Sequence, residues 1–259
     1  MAEIVFLGTS GYVPTPDRDN ASFLLIADGS AAMIDCPGSP LRKLALAGID
    51  PLRVGDVFIT HVHPDHVYGL PSLVHGLMLR EHVLRLHGSA ETVDVCRRLL
   101  DLFGLHGPRH RTRVEYVTLS EGEQAVLAGG TGVTAWRVPH KPSSLAFEFR
   151  TAGDGKRLVF SGDTPADPEF FVRAKGADAL VHDCSAPERF FVRYPVLRSV
   201  HASALDLGRL SERAGIRLLA AVHFLVDLGF DVREIEEEIR MNYKGRLVMP
   251  SDMDRLAIE

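Results

Sequence analysis

Apolar residues fall along this chain in short runs separated by polar breaks, and the runs carry two different periods. Runs rich in Val, Ile, Leu and Phe predict strands over 3–8, 22–27, 31–35 and 55–60. The same pattern recurs over 83–87, 114–118, 123–128, 132–138, 144–150, 156–161, 178–182, 217–222 and 245–248. Between them the apolar spacing opens to a helical repeat over 38–47, 67–80, 89–103, 166–175, 202–214 and 231–241. Asp28-Gly29 and Gly153-Asp154-Gly155 interrupt apolar runs where hairpin turns are expected. Strands then helices in the first half, repeated in the second, predict two βα layers packed sheet against sheet with helices outside. The expectation is an α/β chain forming one domain over 1–259.

Composition narrows the function classes. A formal charge of −5 argues against binding nucleic acid by charge alone. No apolar stretch is long enough to span a bilayer, and the first eight residues are too short and too acidic for a secretory signal. Cys36, Cys96 and Cys184 are odd in number and widely spaced, which fits neither a disulfide framework nor a zinc knuckle. A cytoplasmic protein with reduced thiols and no membrane partner is expected.

The chemistry concentrates in Thr60-His61-Val62-His63-Pro64-Asp65-His66, which closes the apolar run Val57-Phe58-Ile59. In extended backbone, residues two apart point the same way, so His61 and His63 can reach one ion. Pro64 ends the strand, and the following turn redirects Asp65 and His66 toward a second. Three histidines and an aspartate within six residues are too dense for ordinary turn polarity. Three later positions also close apolar runs: His140 after 136–139, Asp163 in Ser161-Gly162-Asp163, and His223 after 218–222. Each alone reads equally well as a turn aspartate or a core histidine.

Together, in this order, the seven residues resemble the ligand set of the metallo-β-lactamase superfamily, and the resemblance covers nearly the whole chain. It implies a four-layer αββα sandwich. It also implies that His61, His63 and His140 bind one divalent metal and Asp65, His66 and His223 a second, with Asp163 bridging. Zinc is the expected metal, with manganese or iron as alternatives. Asp65 is expected to serve in catalysis as well as ligation.

Further segments resemble ribonuclease Z and related phosphodiesterases within that superfamily. They are Leu7-Gly8-Thr9-Ser10-Gly11-Tyr12-Val13-Pro14-Thr15, Arg18-Asp19-Asn20-Ala21-Ser22, His66-Val67-Tyr68-Gly69-Leu70-Pro71 and the stretch 141–149. Val181-His182-Asp183-Cys184-Ser185 resembles that branch's His-Glu-Ala-Thr motif, and His201-Ala202-Ser203 its Gly-His-Ser-Thr motif. The likeness implies His201 as general acid and Asp183 as the carboxylate that orients it.

The chain also departs from ribonuclease Z. Asp183 shortens the acid of the first motif and Val200 replaces the glycine of the second. The basic, Gly/Pro-rich arm that grips tRNA in that enzyme has no room here, because 141–162 holds only a strand pair between His140 and Asp163. The expected activity is therefore hydrolysis of a small phosphodiester by attack of a metal-bridging hydroxide, with RNA disfavoured as substrate. The alternatives are a tRNA 3′-end endonuclease or a hydrolase of an aryl sulfate, lactone or thioester. A homodimer is expected from the resemblance. Segment 188–198 combines arginines and aromatics that suit either substrate selection or packing, and 104–111 reads as a mildly basic loop. His75, His82, His87, His106 and His110 read as structural or surface residues.

Overall fold

The computed structural model describes residues 2–107 and 109–259, so Pro108 of the expected 104–111 loop lies outside the described residues. The first sheet contains β1 (Ala2–Gly8), β2 (Ser22–Ala27), β3 (Ser30–Ile34), β4 (Val54–Phe58), β5 (His82–Gly88) and β6 (Thr112–Thr118). The second contains β7 (Gln124–Val126), β8 (Gly132–Arg137), β9 (Leu145–Arg150), β10 (Arg157–Phe160), β11 (Ala179–Asp183), β12 (Leu218–Val222) and β13 (Arg246–Val248). A final strand, β14 (Arg255–Ile258), returns to pair antiparallel with β1. The orders are β14-β1-β2-β3-β4-β5-β6 and β13-β12-β11-β10-β9-β8-β7.

The sheets face one another across a core built from alternate residues of each strand. Phe6 and Phe23, Phe58 and Phe147, and Phe149 and Phe160 meet there. The other face of the first sheet is covered by α1 (Pro40–Leu46), α2 (Pro64–Val67), α3 (Leu70–Leu77) and α4 (Ala90–Leu102). The other face of the second is covered by α5 (Pro168–Arg173), α6 (Glu188–Arg193), α7 (Ala204–Ala214) and α8 (Val232–Asn242). The result is the expected αββα sandwich. No helix among the described residues is long and apolar enough to cross a membrane.

The helix expected over 67–80 is broken. Pro64 starts α2, and α3 restarts after Gly69, whose backbone approaches Cys36 so closely that a Cβ would sit 2.7 Å from its carbonyl oxygen. Two elements go beyond the sequence expectation, β14 and α6. The run that forms β14 is short, and its pairing partner lies at the other end of the chain. In α6, Phe190 and Phe191 are buried against the helical layer. Two of its arginines are matched by carboxylates: Arg189 pairs with Glu234, and Arg198 pairs with Glu188 and Asp206, while Arg193 lies over the Tyr194 ring. Segment 188–198 thus packs through Phe190 and Phe191 and leaves Val192, Tyr194 and Val196 exposed. His87 is likewise structural, buried and bonded to Asp56 at 2.7 Å.

Strand direction is what positions the site. β3 and β4 run parallel, as do β10, β11 and β12, and β8 shares their direction through antiparallel β9. Their carboxyl ends bring a functional residue to one edge of the sandwich from each sheet. Asp35 follows β3, His61 follows β4, His140 follows β8, Asp163 follows β10, Asp183 closes β11 and His223 follows β12.

Candidate metal centre

All seven proposed ligands converge at this edge. One nitrogen each from His61, His63 and His140 and one oxygen of Asp163 lie within 4.8 Å of one another. Asp65, His66 and His223 form a second such group, and Asp163, His201 and His223 a third. Asp163 stands between the first two: its Oδ2 is 3.8 Å from His61 Nε2, 3.9 Å from His140 Nε2, 3.4 Å from His66 Nε2 and 3.2 Å from His223 Nε2. The cleft over these groups has a volume of about 290 Å³ and is walled by Tyr12, His63, Pro64, Asp65 and His201.

The backbone turns that present these side chains are tight. His223 adopts φ +66 and Asp35 φ +58, both left-handed and both outside glycine. Thr9 holds the first turn, its carbonyl accepting from the N–H groups of His223 and Phe224. Asp163 follows Gly162, at φ +60, where a Cβ would meet the Thr60 side chain at 2.9 Å. Only glycine lets the two strand ends approach this closely.

Four of the inward rings are anchored through their other nitrogen. His66 Nδ1–H donates to Asp35 Oδ2 at 2.7 Å, and His140 Nδ1–H donates to the Val200 carbonyl at 2.8 Å. His61 Nδ1 is 3.1 Å from Thr60 Oγ1, which itself donates to Asp35. His223 Nδ1 faces Ser185 Oγ at 3.4 Å. These anchors select the tautomer whose Nε2 lone pair faces the centre. His63 is reversed, with its Nδ1 turned inward, 2.8 Å from His61 Nε2 and 3.2 Å from His140 Nε2.

This arrangement fits divalent cations. The Nε2 atoms of His66 and His223 are buried without a hydrogen-bond partner. His63 Nδ1 lies 2.8 Å from His61 Nε2 and 3.2 Å from His140 Nε2, close to the ~3.3 Å spacing expected around a tetrahedral ion with 2.0–2.1 Å metal–nitrogen bonds. Burial holds His61, His63 and His140 below the ordinary histidine pKa, despite the opposing pull of Asp163, so they are neutral donors near pH 7. The other half differs. Burial opposes charge on His66 and His223, but Asp163, Asp35, Asp183 and Asp65 outweigh it, raising both rings and pushing His223 up to about 10. Asp65 and Asp163 are held low by these rings despite their own burial. The carboxylates therefore call for positive charge, which protons supply in the absence of a cation.

His201 sits beside this cluster, its ring 5.3 Å from His140 and 5.1 Å from His223. Its Nδ1–H donates to Asp183 Oδ2 at 2.7 Å, leaving Nε2 as its free nitrogen. Asp183 is fully buried and also accepts from Ser185 Oγ at 2.7 Å. His182 is not part of the cluster. It stacks on Phe171, and its Nδ1–H donates to the Asp183 carbonyl at 2.7 Å.

Asp35, Thr60, Ser185 and Tyr12 are site residues beyond those singled out from the sequence. Asp35 has a sequence signal, an acid closing an apolar run before Cys36-Pro37-Gly38. Thr60, Ser185 and Tyr12 lie inside segments that the sequence singles out, but only the folded chain shows what they touch.

Residues 33–224 match the family model described as a beta-lactamase superfamily domain. The chain is 30% identical to a protein named Ribonuclease Z from Bradyrhizobium sp. (strain ORS 278), over the whole of both chains. Its fold is similar to that of the metallo-beta-lactamase fold protein YhfI from Bacillus subtilis, with TM-score 0.82 and 17% identity over 98% of each chain. It is also similar to human tRNase Z, short form, with TM-score 0.78 and 19% identity over 99% of each chain. The chain belongs to the metallo-β-lactamase superfamily of hydrolases, in its ribonuclease Z-like branch.

Proposed function

We propose that this hydrolase is a dinuclear metal-dependent phosphodiesterase acting on a small phosphodiester. The observation that carries the reading is the His201–Asp183 pair, at 2.7 Å, beside two ligand groups that share Asp163. In it, His61, His63 and His140 hold one ion, Asp65, His66 and His223 the other, and Asp163 lies between them. Two bound divalent cations supply Lewis acidity, making water more acidic and neutralising charge that builds on phosphate oxygens. Zinc fits the imidazole-rich donor set, and manganese or iron suits the carboxylates.

The chain's own groups supply positioning and proton transfer. Asp65 is more open to the cleft than Asp163, with 12% against 4% of its side chain exposed, and it orients the attacking water as a hydrogen-bond acceptor. Asp183 fixes the Nδ1–H tautomer of His201. His201 then delivers a proton from Nε2 to the leaving alkoxide. A sulfate ester, lactone or thioester has less need of such an acid when its leaving group is already stable. Turnover of bis(p-nitrophenyl) phosphate by protein loaded with Zn²⁺ or Mn²⁺ tests the reading, and a fully loaded protein that leaves the diester intact would sink it.

A second reading, tRNA 3′-end cleavage, is favoured by the full-length likeness to a protein named Ribonuclease Z. Against it stand the charge of −5 and the filling of 141–162 by the β9–β10 hairpin and its flanking turns. Incubation with a precursor tRNA separates the two.

A further inference from the structure

Beside the catalytic cleft lies a larger groove of about 730 Å³, running between α3 and α4. Its relation to the ligand loop follows from strand alternation. His61 and His63 face the metal centre, whereas Val62 between them faces the groove. Pro64 lines both cavities and is the sill between them. Tyr68 forms one wall, with its hydroxyl donated to Asn20 Oδ1 at 2.9 Å, so the groove receives mainly its ring. Leu99 and Phe103 line the α4 side, and Phe103 is 61% exposed, an unusual state for so large an apolar ring.

We propose that this groove is a substrate subsite for an aromatic substituent of the phosphodiester, the one retained on phosphorus when the leaving group departs. The inference rests on the phosphodiesterase reading and deepens it. Three observations select the occupant. The volume is that of a site for one small molecule. The lining contains no lysine or arginine, so it has nothing to hold a polynucleotide backbone. His201 and Pro64 both line the catalytic cleft and Pro64 also lines the groove, so a diester with its leaving oxygen at His201 has a path for its other substituent over the sill.

The test uses metal-loaded protein and diesters that share the p-nitrophenolate leaving group but carry methyl, phenyl or 1-naphthyl on the other oxygen. KM is expected to fall about ten- to a hundred-fold from methyl to naphthyl, as the added ring leaves water. Leu99→Arg and Phe103→Ala should each remove most of that gain while leaving the methyl diester unchanged. Equal KM across the series overturns the subsite, and so do variants that slow all three diesters alike. It is also overturned if the protein dimerises through this groove, so that Leu99→Arg yields monomers and leaves the aryl preference intact. If no diester is hydrolysed, the phosphodiesterase reading fails instead. Calorimetric binding of 1-naphthyl phosphate against methyl phosphate then decides the groove by itself. A naphthyl preference lost in Leu99→Arg supports the subsite, and no preference overturns it.

Discussion

Asp183 bonds His201 through Oδ2 at 2.7 Å while its Oδ1 lies 3.6 Å from Nδ1 of His223, so one buried carboxylate serves both the proposed acid and a proposed ligand. A single rigid group thus sets the position of the proposed proton donor relative to the candidate metal centre.

His201→Ala separates proton donation from the rest of the site. Turnover of diesters with alkoxide leaving groups is expected to fall about 10²–10⁴-fold. Turnover of nitrophenyl diesters should fall far less, since nitrophenolate departs without a proton. Rates measured across a leaving-group series check this, and an equal loss for every member contradicts the acid role.

Asp183 also makes stability depend on acid. Burial raises its pKa, but His201 and His223 outweigh burial and hold the carboxyl at about 2, below its unfolded value near 3.9. A depressed folded pKa means stability that is present above ~3.9 and lost as pH falls toward 2. Urea unfolding of EDTA-treated protein between pH 5 and pH 2.5 should show wild type losing about 1–3 kcal/mol more than Asp183→Asn. Parallel losses would show that the carboxyl does not titrate in this way.

Asp35 is expected to govern metal retention without touching substrate. It is buried and binds His66 Nδ1 together with the Thr60 N–H and hydroxyl. Asp35→Asn should weaken metal affinity about 10–100-fold, measured by equilibrium dialysis against a zinc indicator. Stripping metal with EDTA should lower the melting temperature of wild type by more than it lowers that of the variant, because the wild type gains more from binding. Unchanged affinity in Asp35→Asn would assign the residue a purely structural part.

The thiols should be inert in the native state. Cys36, Cys96 and Cys184 are all free and buried, and desolvation raises each thiol, that of Cys96 to about 12. Ellman's reagent should label them at least about a hundredfold faster in urea than in buffer. Rapid native labelling would mean that these layers open readily.

The seven candidate ligands were legible in the sequence because each closes an apolar run, and a strand end marks where a side chain meets the rim of a sheet. The sorting of His140, Asp163 and His223 between the two groups rested on resemblance alone. Strand alternation explains why His61 and His63 go together, but nothing local tells which later residue joins them. That depends on β8, β10 and β12 running in one direction, which is a property of pairing between distant segments. The same limit hid Ser185 and Thr60, whose roles depend on Asp183, His223 and Asp35 arriving beside them. It also hid β14, a short strand that gains definition only from its pairing with β1.

The sequence by itself determined the alternation of strands and helices, the His61–His66 cluster and the lack of room for an arm between His140 and Asp163. These are readable because apolar period, turn chemistry and chain length act locally. Only the tertiary structure decided how Asp163 lies among four imidazoles, how Asp183 joins His201 to the candidate ligand His223, and that a groove opens behind Val62. Those features are distances between residues far apart in the chain. They are set by the packing of two whole sheets, which no short window of sequence contains.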